Sequence, residues 1–465
     1  MKRPRWTLDR SLLWAVGVGI VLRTLPMIIW RDWGCARDEC TYLRIARKMA
    51  NGEGMVPSAG WLWAPGYPYI MSQFKTLFGH GATIKGLQVL AAALCTVMIY
   101  RLTQRVWRDR GPEGATRAAR VAAWLYALSP PLIFFTMSLW SEVLYGTLLL
   151  ALLLVLDKTR EAVSGSGRQW VLGALAVGVM GGCCVLFRGV ATYMLPIFAV
   201  ALLWGRFGVR RAWSQVLLMV TAAVLTVAPY SVYISKKMDT RIISDRTLGQ
   251  MMWLGNNDFP PITFDYGNGQ LSARAFKRYA KQGRKRCADR RQPMKRDACE
   301  TEAGFQWIKD NPEEFVRRMP MRVAQMVTPH SLLTRHLRWG KWRNMPQAMD
   351  EAIILWGAVW SMFVMLGGAL ALVARGRGGH GVVTGGILLY HVAAIAALAG
   401  LSRYRVPLEP LLMVYAAGLW TNASDVWRGL AEDRKRLFLA IVVLGWLVPL
   451  VLWYLPSGWT WWRSW

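Results

Sequence analysis

Hydrophobic and polar positions along this chain fall into long blocks. Apolar runs of the ~20 residues that a helix needs to cross a bilayer occur at 11–30, 86–106, 121–139, 141–157, 170–187, 189–205, 213–234, 351–374, 381–401, 404–421 and 437–455. Runs of that length with so few charges predict an all-α polytopic membrane protein of about 11 transmembrane helices. Most connections between the runs are short. Two are long: 31–85, and 236–349, the second being the only stretch polar enough to stand in water.

The charges orient the bundle. Residues 101–120 hold six Arg against two acids, and 206–211, 375–377 and 428–436 are similarly basic. Short loops with that bias stay on the cytoplasmic side. The first run lacks a small-residue cleavage site, so it reads as a retained helix with MKRPRWTLDR inside. An odd number of spans then places the tail YLPSGWTWWRSW outside, where its aromatic rings suit an interfacial anchor. The same topology puts Asp38, the corner 140–142, Arg188, residues 402–405 and the whole of 236–349 on the outer side.

Composition changes the picture only in excluding partners. A formal charge of +30 would suggest nucleic acid in a soluble protein, but 54% of the residues are hydrophobic and the basic ones lie between apolar runs. Anionic membrane lipid is the expected partner, and no nucleic acid. The seven Cys are scattered without a C-x-x-C pair, which argues against a structural zinc site. Cys35 with Cys40 and Cys287 with Cys299 could each close a small loop in an oxidising compartment.

Candidate chemistry collects on the predicted outer side. Asp38 and Glu39 emerge just after the first run in RDECTYLRIARKMANGEG, a short amphipathic helix followed by GWLWAPGYP. Glu142 opens an apolar run, where an acid is costly unless it is paired or faces a cavity, though a helix-terminal acid favoured by the macrodipole is the plainer reading. Arg188, Arg403 and Arg405 offer bidentate contacts to phosphate oxygens, against the plainer reading of snorkelling at the interface. Arg23 lies too deep in the first run for an anchor and is expected to face the interior beside an acid or a lipid phosphate. His330 and His336 read as surface residues of a basic loop. Trp253-Leu254-Gly255-Asn256-Asn257 reads as a turn seating the outer segment on the membrane core, with MMWLGNNDFPP as turns and short surface helices after it.

The acidic pair, Tyr42, Ala46, Gly52, Gly54 and Pro65-Gly66-Tyr67-Pro68 resemble the first external loop of the polytopic glycosyltransferases of the GT-C fold. The nearest group is the family 39 type, the protein O-mannosyltransferases and lipid A aminoarabinose transferases. Arg-Tyr-Arg before Pro407 and Pro410 resembles that family's C-terminal signature, and Glu142 its second acidic position. The resemblance implies a GT-C fold with juxtamembrane helices in the first external loop. It further implies an inverting transfer of a hexosyl or pentosyl group from a polyprenyl phosphate carrier to an envelope acceptor (lipid, glycan or protein) at the outer face of a bacterial cytoplasmic membrane. On that pattern Asp38 and Glu39 are the catalytic pair, Asp38 as base and Glu39 orienting. Arg188, Arg403 and Arg405 hold the donor phosphate, while Tyr42, Glu142, Tyr67 and Tyr404 shape the site. No cofactor is required with certainty, and a divalent metal is left open. The chain divides into a core 1–235 containing the catalytic loop 31–85, an external basic region 236–349 and C-terminal helices 350–465. The rival class is a transporter or flippase for a lipid-linked or anionic solute. It would call for matching halves, which this sequence does not display.

Overall fold

The computed structural model describes residues 9–29, 35, 38–57, 61–162, 168–258, 287, 293–330, 332–338, 345–376 and 378–452. The aromatic C-terminal tail and most of the basic run between 259 and 292 lie outside them. The first apolar run forms α1 (Arg10–Ile29), followed by two short helices, α2 (Asp38–Ala50) and α3 (Gly66–Phe78). Next come α4 (Ile84–Val106), α5 (Gly111–Ala127), α6 (Pro130–Met137), α7 (Glu142–Ala162), α8 (Gln169–Phe187), α9 (Leu195–Leu203) and α10 (Arg210–Met238). The long polar segment contributes α11 (Leu248–Gly255), α12 (Pro293–Asp310), α13 (Pro312–Val327) and α14 (Leu332–Arg338). The chain closes with α15 (Gln347–Met362), α16 (Gly368–Arg375), α17 (Gly378–Ala397), α18 (Glu409–Thr421), α19 (Ala423–Ala431) and α20 (Arg434–Leu452). Among the described residues there is no strand, only one isolated bridge between Leu62 and Arg246.

Each of the eleven apolar runs is helical over most of its described residues. Among the described residues seven helical stretches, one of them α15 running on into α16, are long and apolar enough to cross a membrane, and α5 with α6 makes an eighth path bent by 51°. The other three runs, at 141–157, 189–205 and 404–421, do not meet that measure. The last turns of α7 carry Asp157, Lys158 and Arg160, while α9 and α18 have only 9 and 13 residues. At ~1.5 Å per residue neither of the last two spans the ~30 Å of hydrocarbon alone.

The bend, which apolar length alone does not reveal, has a local cause. Ser129 precedes two prolines and takes an extended conformation, φ −66° and ψ 112°; a residue before Pro is driven out of the helical region, and Pro has no N–H to continue the ladder. The carbonyls freed at the end of α5 need donors. Arg23 supplies them: its guanidinium donates to the carbonyls of Tyr126 (3.1 Å) and Ala127 (3.0 Å), and also to Gly19 and the Thr136 hydroxyl. Arg23 is 1% exposed. It does face the interior, but it caps a broken helix instead of meeting an acid or a lipid phosphate.

Close helix contact aims α8 at the site. A Cβ on Gly178 would lie 2.2 Å from the Met219 carbonyl oxygen, and one on Gly182 would lie 2.9 Å from that of Ala223. Only glycine at this four-residue spacing lets α8 and α10 approach so nearly, and their contact leaves the C-terminus of α8, and so Arg188, at one end of the bundle. The opposite end gathers the basic connections, with Arg110 against Asp425 (2.9 Å) and Arg375 against Asp109.

The polar segment after α10 is pinned to the core by the Trp-Leu-Gly-Asn-Asn stretch. α11 continues through Gly255, so the helix reaches further than its turn-forming residues imply, and the chain turns only at 256–258. Asn256 donates to the Met252 and Ala397 carbonyls, and Arg322 of α13 donates to the Gly255 carbonyl, the Asn256 side chain and the Ala396 carbonyl. Buried amide and guanidinium groups are thereby satisfied across three elements. α12 and α13 meet at Asn311-Pro312.

Candidate functional site

Four charged side chains from four separate elements converge at the end of the bundle that carries α2. Asp38 is the first residue of α2, where the helix macrodipole favours an anion. Glu142 is the first residue of α7. Arg188 follows α8 in an extended conformation, φ −152°, and Arg403 sits in the tight turn Ser402–Arg405 before α18. They form an alternating chain. Arg403 donates to the Asp38 carboxylate, its Nε lies 3.1 Å from Glu142 Oε1, and Arg188 Nη1 donates to that same oxygen at 3.0 Å.

Burial divides the acids. Glu142 and Glu39 are 1% and 2% exposed, whereas the Asp38 side chain keeps 33% of its surface open. Glu39 Oε1 accepts the backbone N–H of Leu139 at 2.9 Å, which fixes the start of α2 against the 138–141 turn. Asp38 is the acid of this pair that a second molecule can reach.

Aromatic rings wall the cluster. The Arg188 guanidinium lies 5.8 Å from the Tyr145 ring centre and 5.7 Å from that of Tyr404, and Arg403 lies 5.6 Å from Trp140. Such rings attract a cation while excluding water. Burial alone would lower the Arg403 pKa, but the carboxylates of Glu142 and Asp38 hold it well above the usual guanidinium value. Tyr42, one turn after Asp38, packs edge-on against Trp63 (5.2 Å) and Tyr67 (5.0 Å). Its phenol is pushed up to about 12, by burial first and by Glu142 second, so it stays a neutral hydroxyl at ordinary pH. Tyr67 donates to Gln88, which in turn holds the Thr136 and Ser138 carbonyls. Tyr67 therefore bears on the cluster through Tyr42. The Tyr404 hydroxyl is directed at Met251 Sδ, 3.2 Å away, on α11.

Arg405 does not join the cluster. Its Nε donates to Glu409 at 2.8 Å, and its other nitrogens donate to the carbonyls of Met326 and Thr328 and to the Ser361 hydroxyl. Buried to 3% exposure, it ties α13, α15 and α18 together and has no face for a phosphate. Expected for Arg405→Lys, which cannot reproduce that fan of donors, is a loss of about 1–3 kcal/mol of stability. Binding of a polyprenyl phosphate should stay at the wild-type level in the same detergent. Weaker lipid binding at unchanged thermal stability would return Arg405 to the site.

His330 and His336 are not surface residues either, at 1% and 2% exposure. His336 packs its ring on Phe134 and Trp140. Among the described residues no group of three or more His, Cys, Asp and Glu gathers at ligand spacing. Cys35–Cys40 and Cys287–Cys299 are bridged.

Asp245 escapes detection in the sequence, where Ser-Asp-Arg-Thr reads as plain loop. The structure brings its carboxyl against the residue after Arg188: a Cβ on Gly189 would lie 2.0 Å from Asp245 Oδ1. Burial raises its pKa, against the hydroxyls of Thr247 and Ser244 and the charge of Arg188. The neighbouring Arg246 exchanges backbone hydrogen bonds with Leu62, and Trp61 Nε1 donates to Glu300 of α12 at 3.2 Å. These contacts join Arg246 and α12 to residues 61 and 62 of the loop that carries Asp38.

No family model matches the chain, and no curated protein matches it. Solved structures do. Archaeoglobus fulgidus oligosaccharyltransferase AglB, in complex with an inhibitory peptide and a dolichol-phosphate, is 16% identical, with a TM-score of 0.50 over 96% of this chain and 55% of that one. The apo form of the A. fulgidus oligosaccharyltransferase is 13% identical, with a TM-score of 0.53 over 98% of this chain and 56% of that one. ArnT from Cupriavidus metallidurans bound to undecaprenyl phosphate is 13% identical, with a TM-score of 0.40 over 89% and 78%. The chain spans little more than half the length of the oligosaccharyltransferase chains. The fold is GT-C.

Proposed function

We propose that this GT-C chain is a glycosyltransferase that moves a sugar from a polyprenyl phosphate carrier to an envelope acceptor at the outer face of a bacterial cytoplasmic membrane. The observation that carries the reading is the alternating chain Asp38, Arg403, Glu142, Arg188, assembled from four elements at one end of the bundle. In support, the AglB structure of the same fold holds a dolichol-phosphate. The donor phosphate takes the two guanidiniums, and by drawing Arg403 it frees the Asp38 carboxylate. An acceptor hydroxyl or amine then gives its proton to Asp38 as its oxygen or nitrogen attacks the anomeric carbon. The bond from that carbon to the phosphate oxygen breaks, and the leaving phosphate keeps the electron pair beside Arg188 and Arg403. Attack opposite the leaving group inverts the anomeric centre. Residues 1–235 supply the core and catalytic loop, 236–349 the cover over it, and 350–465 the helices that bring Arg403.

Two measurements test the reading together. Cysteine replacing the exposed Asn51 should be labelled by an impermeant reagent in intact cells, and cysteine replacing the exposed Arg117 should not. Purified protein should bind undecaprenyl phosphate more tightly than undecaprenol, with the difference lost in Arg403→Lys, which keeps the charge but not the bidentate fork. Equal binding of phosphate and alcohol by the wild type would refute the carrier, and labelling at 117 would refute the orientation.

A further inference from the structure

Three buried polar atoms of the site are left without a hydrogen-bond partner: Glu142 Oε2, Trp140 Nε1 and Arg403 Nε. Glu142 Oε1 accepts from Arg188 and pairs in charge with Arg403 Nε at 3.1 Å, but Oε2 receives no donor and Trp140 Nε1 has no acceptor. Glu142 and Trp140 are 1% and 3% exposed. Both border the same guanidinium: Arg403 lies 5.6 Å from the Trp140 ring centre, with its Nε 3.1 Å from the Glu142 carboxylate. Leaving such atoms unmet in a low-dielectric interior is costly, so a bound molecule that supplies their partners gains selectively.

The chemistry of the pair narrows what that molecule is. An indole N–H only donates and a carboxylate oxygen only accepts. An ionised phosphate oxygen could serve the indole but has no hydrogen to give Glu142 Oε2, and an ammonium could serve Glu142 but not the indole. A hydroxyl does both. We infer that Trp140 Nε1 and Glu142 Oε2 form a subsite for one hydroxyl of the donor's sugar ring, beside the arginines that take its phosphate. The subsite rests on the carrier reading above and adds to it a requirement for a particular ring hydroxyl. A sugar lacking that hydroxyl leaves both buried atoms unmet, which is how a polar site rejects a deoxy analogue.

The test uses purified full-length protein in detergent. Undecaprenyl phosphate is compared with its glucosyl, mannosyl and arabinosyl esters, and the tightest of these with its monodeoxy analogues. The expected result is a gain of roughly tenfold or more from the sugar, lost when one particular hydroxyl is removed. In Trp140→Phe, which keeps an aromatic ring against Phe134, Phe135 and His336, that deoxy penalty should shrink. The inference falls if the wild type binds no glycosyl ester more tightly than the bare carrier, or if no deoxy analogue is penalised, which would leave an ordered water as the partner. It also falls if the deoxy penalty in Trp140→Phe is as large as in the wild type. Wild-type protein that binds no undecaprenyl lipid at all refutes the carrier reading itself, and the subsite with it. Should Trp140→Phe not fold, the deoxy series on the wild type decides alone.

Discussion

Asp38→Asn is expected to reduce sugar transfer by about 10²–10⁴-fold, the usual contribution of a positioned general base, while the protein still folds and still binds carrier. Asparagine keeps the shape at the start of α2 and can still accept from Arg403 through its amide oxygen. What it lacks is a basic oxygen for the acceptor's proton. The one-third exposure of Asp38, beside a fully buried Glu39, is why the proton is assigned there. Glu39→Gln should retain most activity, because its visible work is to accept the Leu139 N–H, which the Gln side-chain oxygen can also do. The assay is transfer from a glycosyl undecaprenyl phosphate to envelope extract, with lipid binding measured separately. Wild-type turnover by Asp38→Asn would remove the base from the proposed mechanism; a parallel loss of lipid binding would make Asp38 a binding residue instead.

Features that depend on local sequence were legible, and features that depend on how helices meet were not. The apolar runs foretold the long helices of the bundle because crossing a bilayer demands a fixed length of uninterrupted hydrophobic chain. Arg403 and Arg405, by contrast, look alike in Arg-Tyr-Arg. On a turn of about three residues per revolution, positions two apart point some 120° from each other. One therefore faces Asp38 and Glu142, and the other is buried on Glu409. No periodicity distinguishes them, because the difference lies in which neighbours α13 and α15 place on each side. Arg23 is the same case: its depth announced a buried partner, but the carbonyls of a helix that breaks a hundred residues later could not be read from its own run. His330 and His336 misled because a basic polar context suggests solvent, whereas the packing of α14 beside α6 and α15 encloses them.

Glu142 is where charge, burial and function meet, and its removal should cost the most stability. With an almost wholly buried side chain it stands between Arg188 and Arg403, so Glu142→Gln leaves two guanidiniums facing one another with only Asp38 to compensate. Breaking a buried ion pair by neutralising one partner typically costs about 3–5 kcal/mol, since the remaining charge is desolvated and unpaired. The expected outcome is a large fall in the midpoint of thermal unfolding in detergent, together with loss of transfer. The double variant Glu142→Gln with Arg188→Gln restores the balance of charges and should recover much of the stability, because burying a neutral hydrogen-bonded pair is far cheaper than burying a lone cation. Activity should not return, since the proposed phosphate grip needs both arginines. Recovery of stability without activity separates the two roles of the cluster. A double variant as unstable as the single one would show that Glu142 holds the fold by its packing at the head of α7, and that the alternating chain of charges is incidental to it.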